Sequence, residues 1–464
     1  MNMASFATIT PVDDSVLLVR ERHTAREVDA ALARAANGFK AWREWSLERR
    51  IEILKRAVAA LVGEKEAIAG EITRQIGRPV AYSGGEVNGF EARARTMLQL
   101  APEALSPHVP AALGGFERAI ERVPLGVIAV LAPWNYPFLT AVNAVIPALA
   151  AGNVIVLKHS EQTPLAAERM DEAFRSAGLP DGVFQYLHID HDQVAEMIAD
   201  HRIAYVCFTG SVTGGHAVQR ALARSFTSAG LELGGKDSAY VREDANIDYS
   251  IANIADGIFF NSGQSCCGIE RVYVHERHFK TVVDGLVAYA EQLKLGDPRD
   301  ESTTLGPMVK TTAANAVRDQ INKALAQGAR AVIDAGKYAA DTGRTAYLAP
   351  QIIVDCDHSM SIMSEETFGP VAGVMAVKSD AEAVRLMNDS RYGLTASIWT
   401  SDRDAARLIG DQVEAGTVFM NRCDYLDPEL AWTGVKDSGR GATLSRQGFE
   451  YLTRPKSYHF KLNV

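Results

Sequence analysis

Cysteine is scarce in this chain. There are five in 464 residues, at positions 207, 266, 267, 356 and 423, and none stands in a C-x-x-C pair. An odd, sparse set excludes a disulfide framework and a cysteine-built zinc site, and it points to a reducing cytoplasm. Long apolar runs are also missing. The longest, such as 144–151, are far too short to cross a bilayer, so no membrane partner is expected. Basic excess is missing too: 48 Lys and Arg stand against 57 Asp and Glu, a net charge of −9. With no Lys/Arg-rich run, nucleic acid is not an expected partner. Arg43, Arg49, Arg50, Lys55 and Arg56 are interleaved with Glu44, Glu48 and Glu52, the pattern of a solvated helix face. The first residues, MNMASFATITPVDDS, hold no apolar core and no small-residue cleavage site, so no secretory leader is expected.

What remains is the composition of an ordinary globular protein, 47% hydrophobic and 23% charged. Val28, Leu32, Ala35, Phe39 and Trp42 recur in steps of four and three and predict a helix. Similar periodicity predicts a helix over 48–76, ended by Gly77-Arg78-Pro79. From Arg118 the pattern changes to short apolar runs at 127–131, 154–157 and 203–208, each followed by a small-residue loop and a helical stretch. A second such series starts near Leu233, with strands at 272–275, 371–377 and 393–400 and a helix at 279–293. Strand–helix alternation predicts two doubly wound α/β domains with a cleft beyond the strand ends. The alternating 457–464 segment reads as an edge strand.

Five segments carry possible chemistry. NSGQSCCG at 261–268 lies between a predicted helix (251–260) and a strand, and its small residues let a ligand approach the backbone. Cys266 there is either an activated thiol or a buried inert one, the state expected for Cys207 and Cys356. Glu232, at the end of an apolar strand before two glycines, is either a general base or a surface partner of Lys236. Asn135, in a turn set by Pro133 and Pro137, can donate to an oxyanion or simply belong to a rigid turn. Gly210 and Ser211, with Gly214 and Gly215, open a helix and suit a phosphate. Lys158 and Glu161 follow a strand and suit ribose hydroxyls or a helix-capping ion pair. His188, Asp190, His191 and Asp192 crowd one stretch that reads as a solvated loop, and no metal is assigned.

PWNYP, KHSEQTP, FTGS, ELGGKD, GQSC, EETFGPV and GVKDSGRG occur in that order, and from about Ala30 onward the chain resembles the aldehyde dehydrogenase superfamily. The resemblance implies a variant Rossmann NAD-binding domain (1–114 and 123–232), a catalytic domain (233–445) and a small β oligomerisation arm (115–122 and 446–464). It also implies a homodimer or homotetramer, a small-molecule aldehyde substrate and NAD as cofactor. By the same resemblance Cys266 is the nucleophile, Glu232 the base, and Asn135 the oxyanion donor together with the Cys266 backbone N–H. Cofactor contacts fall on Trp134, Gly210, Leu233 and Gly234. Lys158 and Glu161 would hold the adenosine ribose, Ser211 would meet the pyrophosphate, and Glu366 would hold the nicotinamide ribose with Phe368 beside the ring. Glu366 is preferred to Glu365 because it stands two places before the Phe.

By the same resemblance the substrate tunnel is expected to involve Tyr136, Leu139, Thr140, Asn143, Phe260, Ser265, Cys267, Leu426 and Trp432. This mix suits a medium-sized aldehyde, aliphatic or aromatic. Arg422 is read either as a contact for a substrate carboxylate or as an ion-pair partner of Asp424 or Asp427. Glu161 would repel a 2′-phosphate, which favours NAD over NADP. Where relatives carry a Lys and a Glu of a secondary proton relay, this chain has Ala144 and Thr443. AWTG at 431–434 replaces a frequent PFGG, which implies an unusual substrate entrance. A CoA-acylating relative would not need Glu232. A cysteine-dependent esterase would need a positioned His that no motif offers. A non-catalytic scaffold protein would not need Cys266, Glu232 and Asn135 together.

Overall fold

Capping and amphipathic pattern set the first long helix of the computed structural model, which describes residues 4–463. Thr24 accepts a hydrogen bond from Glu27 N, and the Glu27 carboxylate reaches back to Thr24 N, closing a capping box at Ala25–Trp42. Val28, Leu32, Ala35 and Trp42 form its buried stripe. The expected helix over 48–76 is instead two, Leu47–Gly63 and Lys65–Ile76. They break at Glu64, whose φ −96°, ψ 15° is not helical. Gly77 then ends the second in the left-handed region, φ 80°. Ahead of these helices lies a hairpin that periodicity did not predict. Ser5–Ile9 pairs antiparallel with Val16–Glu21; it alternates in burial but buries Phe6 and Thr8 while exposing Ala7 and Ile9, so its residue types do not alternate apolar with polar. Residues 1–3 and 464, at the ends of the expected domain ranges, lie outside the described residues.

Both expected wound sheets are present. The first is six-stranded, in the order Gly439–Arg440, Ser228–Glu232, Ile203–Thr209, Val127–Ala132, Val154–His159, Phe184–Tyr186. All its neighbours pair in parallel except Gly439–Arg440. Val127–Ala132 is buried along its whole length because helices cover both faces, as a parallel sheet requires. The second sheet is seven-stranded, in the order Arg330–Ala331, Gln351–Val354, Val371–Val377, Ile269–His275, Asp237–Val241, Thr395–Trp399, Thr417–Met420. Only Arg330–Ala331 runs antiparallel. Its two faces carry separate apolar clusters, one around Tyr240 and Ile398 and one around Val272 and Trp399.

The four residues 233–236 carry the chain from the first sheet into the second. Residues late in the chain fold back onto the first sheet: Trp432, Leu444 and Phe449 join its core, and Gly439–Arg440 becomes its edge. Gln447–Tyr451 is helical, and only from Arg454 does the chain leave the core. Thr453–Lys461 then pairs residue for residue with Phe116–Pro124 in an antiparallel ribbon. Among the described residues no helix is long and apolar enough to cross a membrane.

Candidate active site

The helix Ile247–Phe259 stops where three successive residues enter the left-handed region: Asn261 (φ 52°), Ser262 (φ 56°) and Gly263 (φ 68°). Two of them are not glycine, so the turn is strained and must be held from outside. Ser262 Oγ donates to Gly306 O at 2.8 Å, and Val309 N donates to Gln264 Oε1 at 2.7 Å. A Cβ on Gly263 would collide with Gly369 O. Arg78 Nε donates to Asn261 Oδ1 at 2.9 Å and its Nη2 to Asn135 O at 2.6 Å. The same guanidinium forms a fully buried ion pair with Glu86 at 2.5 Å, and Glu86 Oε1 accepts Phe138 N and Leu139 N. One buried Arg–Glu pair thus binds the 133–137 turn to the cysteine loop.

Asn135 is itself buried, and its Nδ2 donates to Gln264 O at 3.1 Å. Its second amide N–H and the Cys266 backbone N–H have no partner among the described residues. Cys266 and Glu232 line one cavity of about 380 Å³. All the residues expected in the tunnel line it as well: Tyr136, Leu139, Thr140, Asn143, Phe260, Ser265, Cys267, Leu426 and Trp432. The two adjacent thiols differ. Cys267 Sγ lies 3.0 Å from Asp424 Oδ1. A hydrogen bond with Cys266, and then burial, push the Cys267 thiol well above its ordinary value.

Glu232 ends its strand with both carboxylate oxygens occupied. Thr209 Oγ1 donates to Oε2 at 3.0 Å, and Thr443 Oγ1 donates to Oε1. Burial raises its pKa, and the two hydroxyls draw it partly back. Lys236, the partner considered for it, points elsewhere. Its buried ammonium sits 2.7 Å from Glu270 and 2.8 Å from Thr367 Oγ1. Glu270 also accepts Thr367 N and Phe368 N, which fixes the 366–368 segment. Ala144 and Thr443 face a small second cavity behind Glu232, about 30 Å³, room for a water or two.

The expected cofactor residues divide between two places. Trp134, Lys158 and Glu161 line a groove of about 400 Å³. The hairpin missed in the sequence delivers Arg22 there, whose Nε and Nη2 both donate to Glu161 Oε1, at 3.0 and 2.8 Å. Burial lowers the Lys158 pKa, with Glu161 opposing. Ser211 caps the helix Val212–Leu222 by accepting Gly214 N at 3.1 Å, and Gly210 N donates to Glu232 O. A Cβ on Gly210 would press on the Phe208 ring at 2.7 Å.

Glu366 accepts Gly235 N at 3.0 Å, and a Cβ on Gly234 would collide with its carboxylate. Burial, and then the nearby Glu270, push the Glu366 pKa up to about 7. Glu365 is exposed and faces Arg391 instead. Phe368, at φ 50°, meets the Trp134 ring edge-on at 5.7 Å. Leu233 is buried, and its N–H donates to Ser438 O.

Two expectations need correction. Arg422 pairs with neither Asp424 nor Asp427 among the described residues: its guanidinium stacks 3.4 Å over the Tyr425 ring, and Asp424 turns inward to Ser265 Oγ and Cys267 Sγ. The His188–Asp192 stretch is not a solvated loop. His188 is buried against Glu168, and Asp190 caps the helix His191–Ala199. Sequence reasoning missed Arg22, Arg78, Glu86, Arg93, Thr209 and the role of Asp424. Only Glu86 left a signal, as a charge on the same stripe as Val87, Phe90, Ala94 and Met97.

The family model for the aldehyde dehydrogenase family matches residues 2–458. A succinate semialdehyde dehydrogenase [NAD(P)+] of Escherichia coli (strain K12) is 35% identical over 441 residues, 95% of this chain and 95% of that protein. The crystal structure of PnpE in complex with nicotinamide adenine dinucleotide superposes with a TM-score of 0.95 at 29% identity, covering 99% of this chain and 95% of its own. A succinic semialdehyde dehydrogenase from Streptococcus pyogenes in complex with NADP+ gives 0.94 at 30% identity, covering 98% and 100%.

Proposed function

The chain belongs to the aldehyde dehydrogenase family, whose members oxidise an aldehyde to an acid with NAD(P), and on that basis we propose that Cys266 is its nucleophile, Glu232 its base and Asn135 its oxyanion donor. One observation carries the reading: Cys266 and Glu232 face a common cavity, and Asn135 is hydrogen-bonded to the loop that presents the thiol. The Cys266 thiolate adds to the aldehyde carbon and creates a tetrahedral oxyanion. The free Asn135 amide N–H and the Cys266 N–H are the donors available to it. Losing one such donor typically costs about 3–4 kcal/mol. The bound cofactor supplies the acceptor for the hydride that leaves this carbon, and a thioester remains on Cys266. Glu232 then takes a proton from a water that hydrolyses the thioester. A buried base beside the cavity supports hydrolysis over transfer to CoA, and acyl-CoA formation in a CoA-supplemented assay would reverse that preference.

Glu232 acts as a base only when ionised. Because burial raises its pKa, kcat limited by hydrolysis should climb with pH along a limb above the ordinary carboxylate range. Thr443→Val removes a hydroxyl that favours the carboxylate. The limb is expected to move to higher pH with the alkaline plateau little changed. A pH–kcat profile measures this, and an unmoved limb would count against the Thr443–Glu232 link.

The residues present fit a nicotinamide dinucleotide. Lys158 and Glu161 stand in an open groove, Ser211 heads a helix, and the Glu366 carboxylate is held against Gly234 by Gly235 N. NAD is the favoured form, since Glu161 places a carboxylate where a 2′-phosphate would come. Arg22, which holds one oxygen of that carboxylate, is the group that would weaken the discrimination. Reduction of NAD and NADP across a panel of aldehydes tests both statements. kcat/KM should favour NAD by at least about tenfold. Equal or better efficiency with NADP overturns the preference and assigns Arg22 and Lys158 to the phosphate.

The exposed Ile120, Phe460 and Leu462 on and beside the Phe116–Pro124/Thr453–Lys461 ribbon support a homodimer or homotetramer. Five free thiols support a cytoplasmic setting.

A further inference from the structure

Arg93 has no part in the mechanism above, yet it lines the cavity that holds Cys266. It lies on the helix Val80–Ala104, one turn beyond Gly89 and two beyond Glu86, so the three share a face. That face meets the start of the helix Pro137–Ala151. Glu86 accepts its first N–H groups, and a Cβ on Gly89 would stand 2.6 Å from the Leu139 side chain. This close approach carries Arg93 to the cavity wall. Its Nη1 donates to Leu139 O at 2.8 Å and to Asn143 Oδ1 at 3.2 Å. Both acceptors are neutral. Among the described residues its Nε and Nη2 make no hydrogen bond, and no carboxylate comes within ion-pair distance.

The Arg93 guanidinium is half-buried; a guanidinium partly withdrawn from water without an anion is costly, and it remains charged at any working pH. Three of the four nearby carboxylates are committed elsewhere. Glu86 is paired with Arg78, Glu232 is held by Thr209 and Thr443, and Asp424 accepts Ser265 and Cys267. Asp256 sits exposed at the cavity rim.

We propose that Arg93 is the specificity-determining residue of this cavity, and that the substrate is an oxo acid: an aldehyde bearing a carboxylate at its other end. The carboxylate would take Nε and Nη2 as a planar two-bond fork while the aldehyde carbon meets Cys266. Oxidation then yields a dicarboxylate. The inference rests on the functional reading above and names the substrate class for that site.

Steady-state kinetics with ω-oxo acids from 4-oxobutanoate to 6-oxohexanoate tests it, each against the unsubstituted aldehyde of equal length, with a trimethylammonium aldehyde as the cationic comparison. In the wild type at least one oxo acid should exceed its neutral counterpart by about 100-fold in kcat/KM. Arg93→Met should bring that ratio close to one, chiefly through KM, and Arg93→Lys, which keeps the charge and loses the fork, should fall between. Calorimetric titration of the dicarboxylate product gives a readout independent of turnover, and its binding should be lost in Arg93→Met. Wild-type preference for the neutral or cationic aldehyde, an unchanged ratio in Arg93→Met, or retained dicarboxylate binding would each overturn the proposal. If no aldehyde of any charge reduces NAD or NADP, the functional reading itself fails, and this proposal falls with it.

Discussion

With Cys266 replaced by alanine, kcat is expected to fall by about 10⁴-fold or more, while nicotinamide binding persists. The size follows from removing the atom to which the acyl group must bond. Its neighbour cannot take over. Cys267 is buried, its Sγ lies against Asp424, and a hydrogen bond with Cys266 together with burial holds its thiol protonated. Cys267→Ala therefore serves as the contrast, with loss confined to about tenfold. Single-turnover assays and cofactor titration on both variants make the measurement. Cys266→Ala turnover within tenfold of wild type would remove the central assignment.

Glu232→Gln should fail at a later step. Attack and hydride loss do not need the base, so one equivalent of reduced cofactor per active site should appear rapidly. Hydrolysis should then stall, with steady-state kcat down about 10²- to 10⁴-fold. Intact-mass measurement should find the acyl group on Cys266. Glutamine preserves shape and an acceptor for Thr443, so a stall reports lost basicity rather than a collapsed site. Unchanged steady-state turnover, or no burst at all, would show that Glu232 has another task.

Several elements could be read from one dimension because their cause is local. The strand Val371–Val377 coincides with its apolar run, since a strand buried on both faces needs little else. The helix Ala25–Trp42 announces itself through its apolar stripe. Glu64 carries no such mark. The break there is a backbone turn, just after Gly63, inside continuous amphipathic periodicity. The Ser5–Glu21 hairpin is similar, because its register depends on the body it lies against, as the bond from Thr8 Oγ1 to Glu161 O illustrates.

Motif order alone brought Cys266, Glu232 and Asn135 together as candidates, because the chemistry of a thiol, a carboxylate and an amide resides in the residue type and its small-residue setting. Partnership was another matter. That Lys236 would leave Glu232 for Glu270, that Arg22 would occupy Glu161, and that Arg93 would reach the cavity with two donors unspent could be learned only from the folded chain. Those contacts join residues 34, 139 and 46 positions apart. A charge declares its own sign in the sequence, but which opposite charge it meets is set by how helices and sheets pack, through distances that no local pattern encodes.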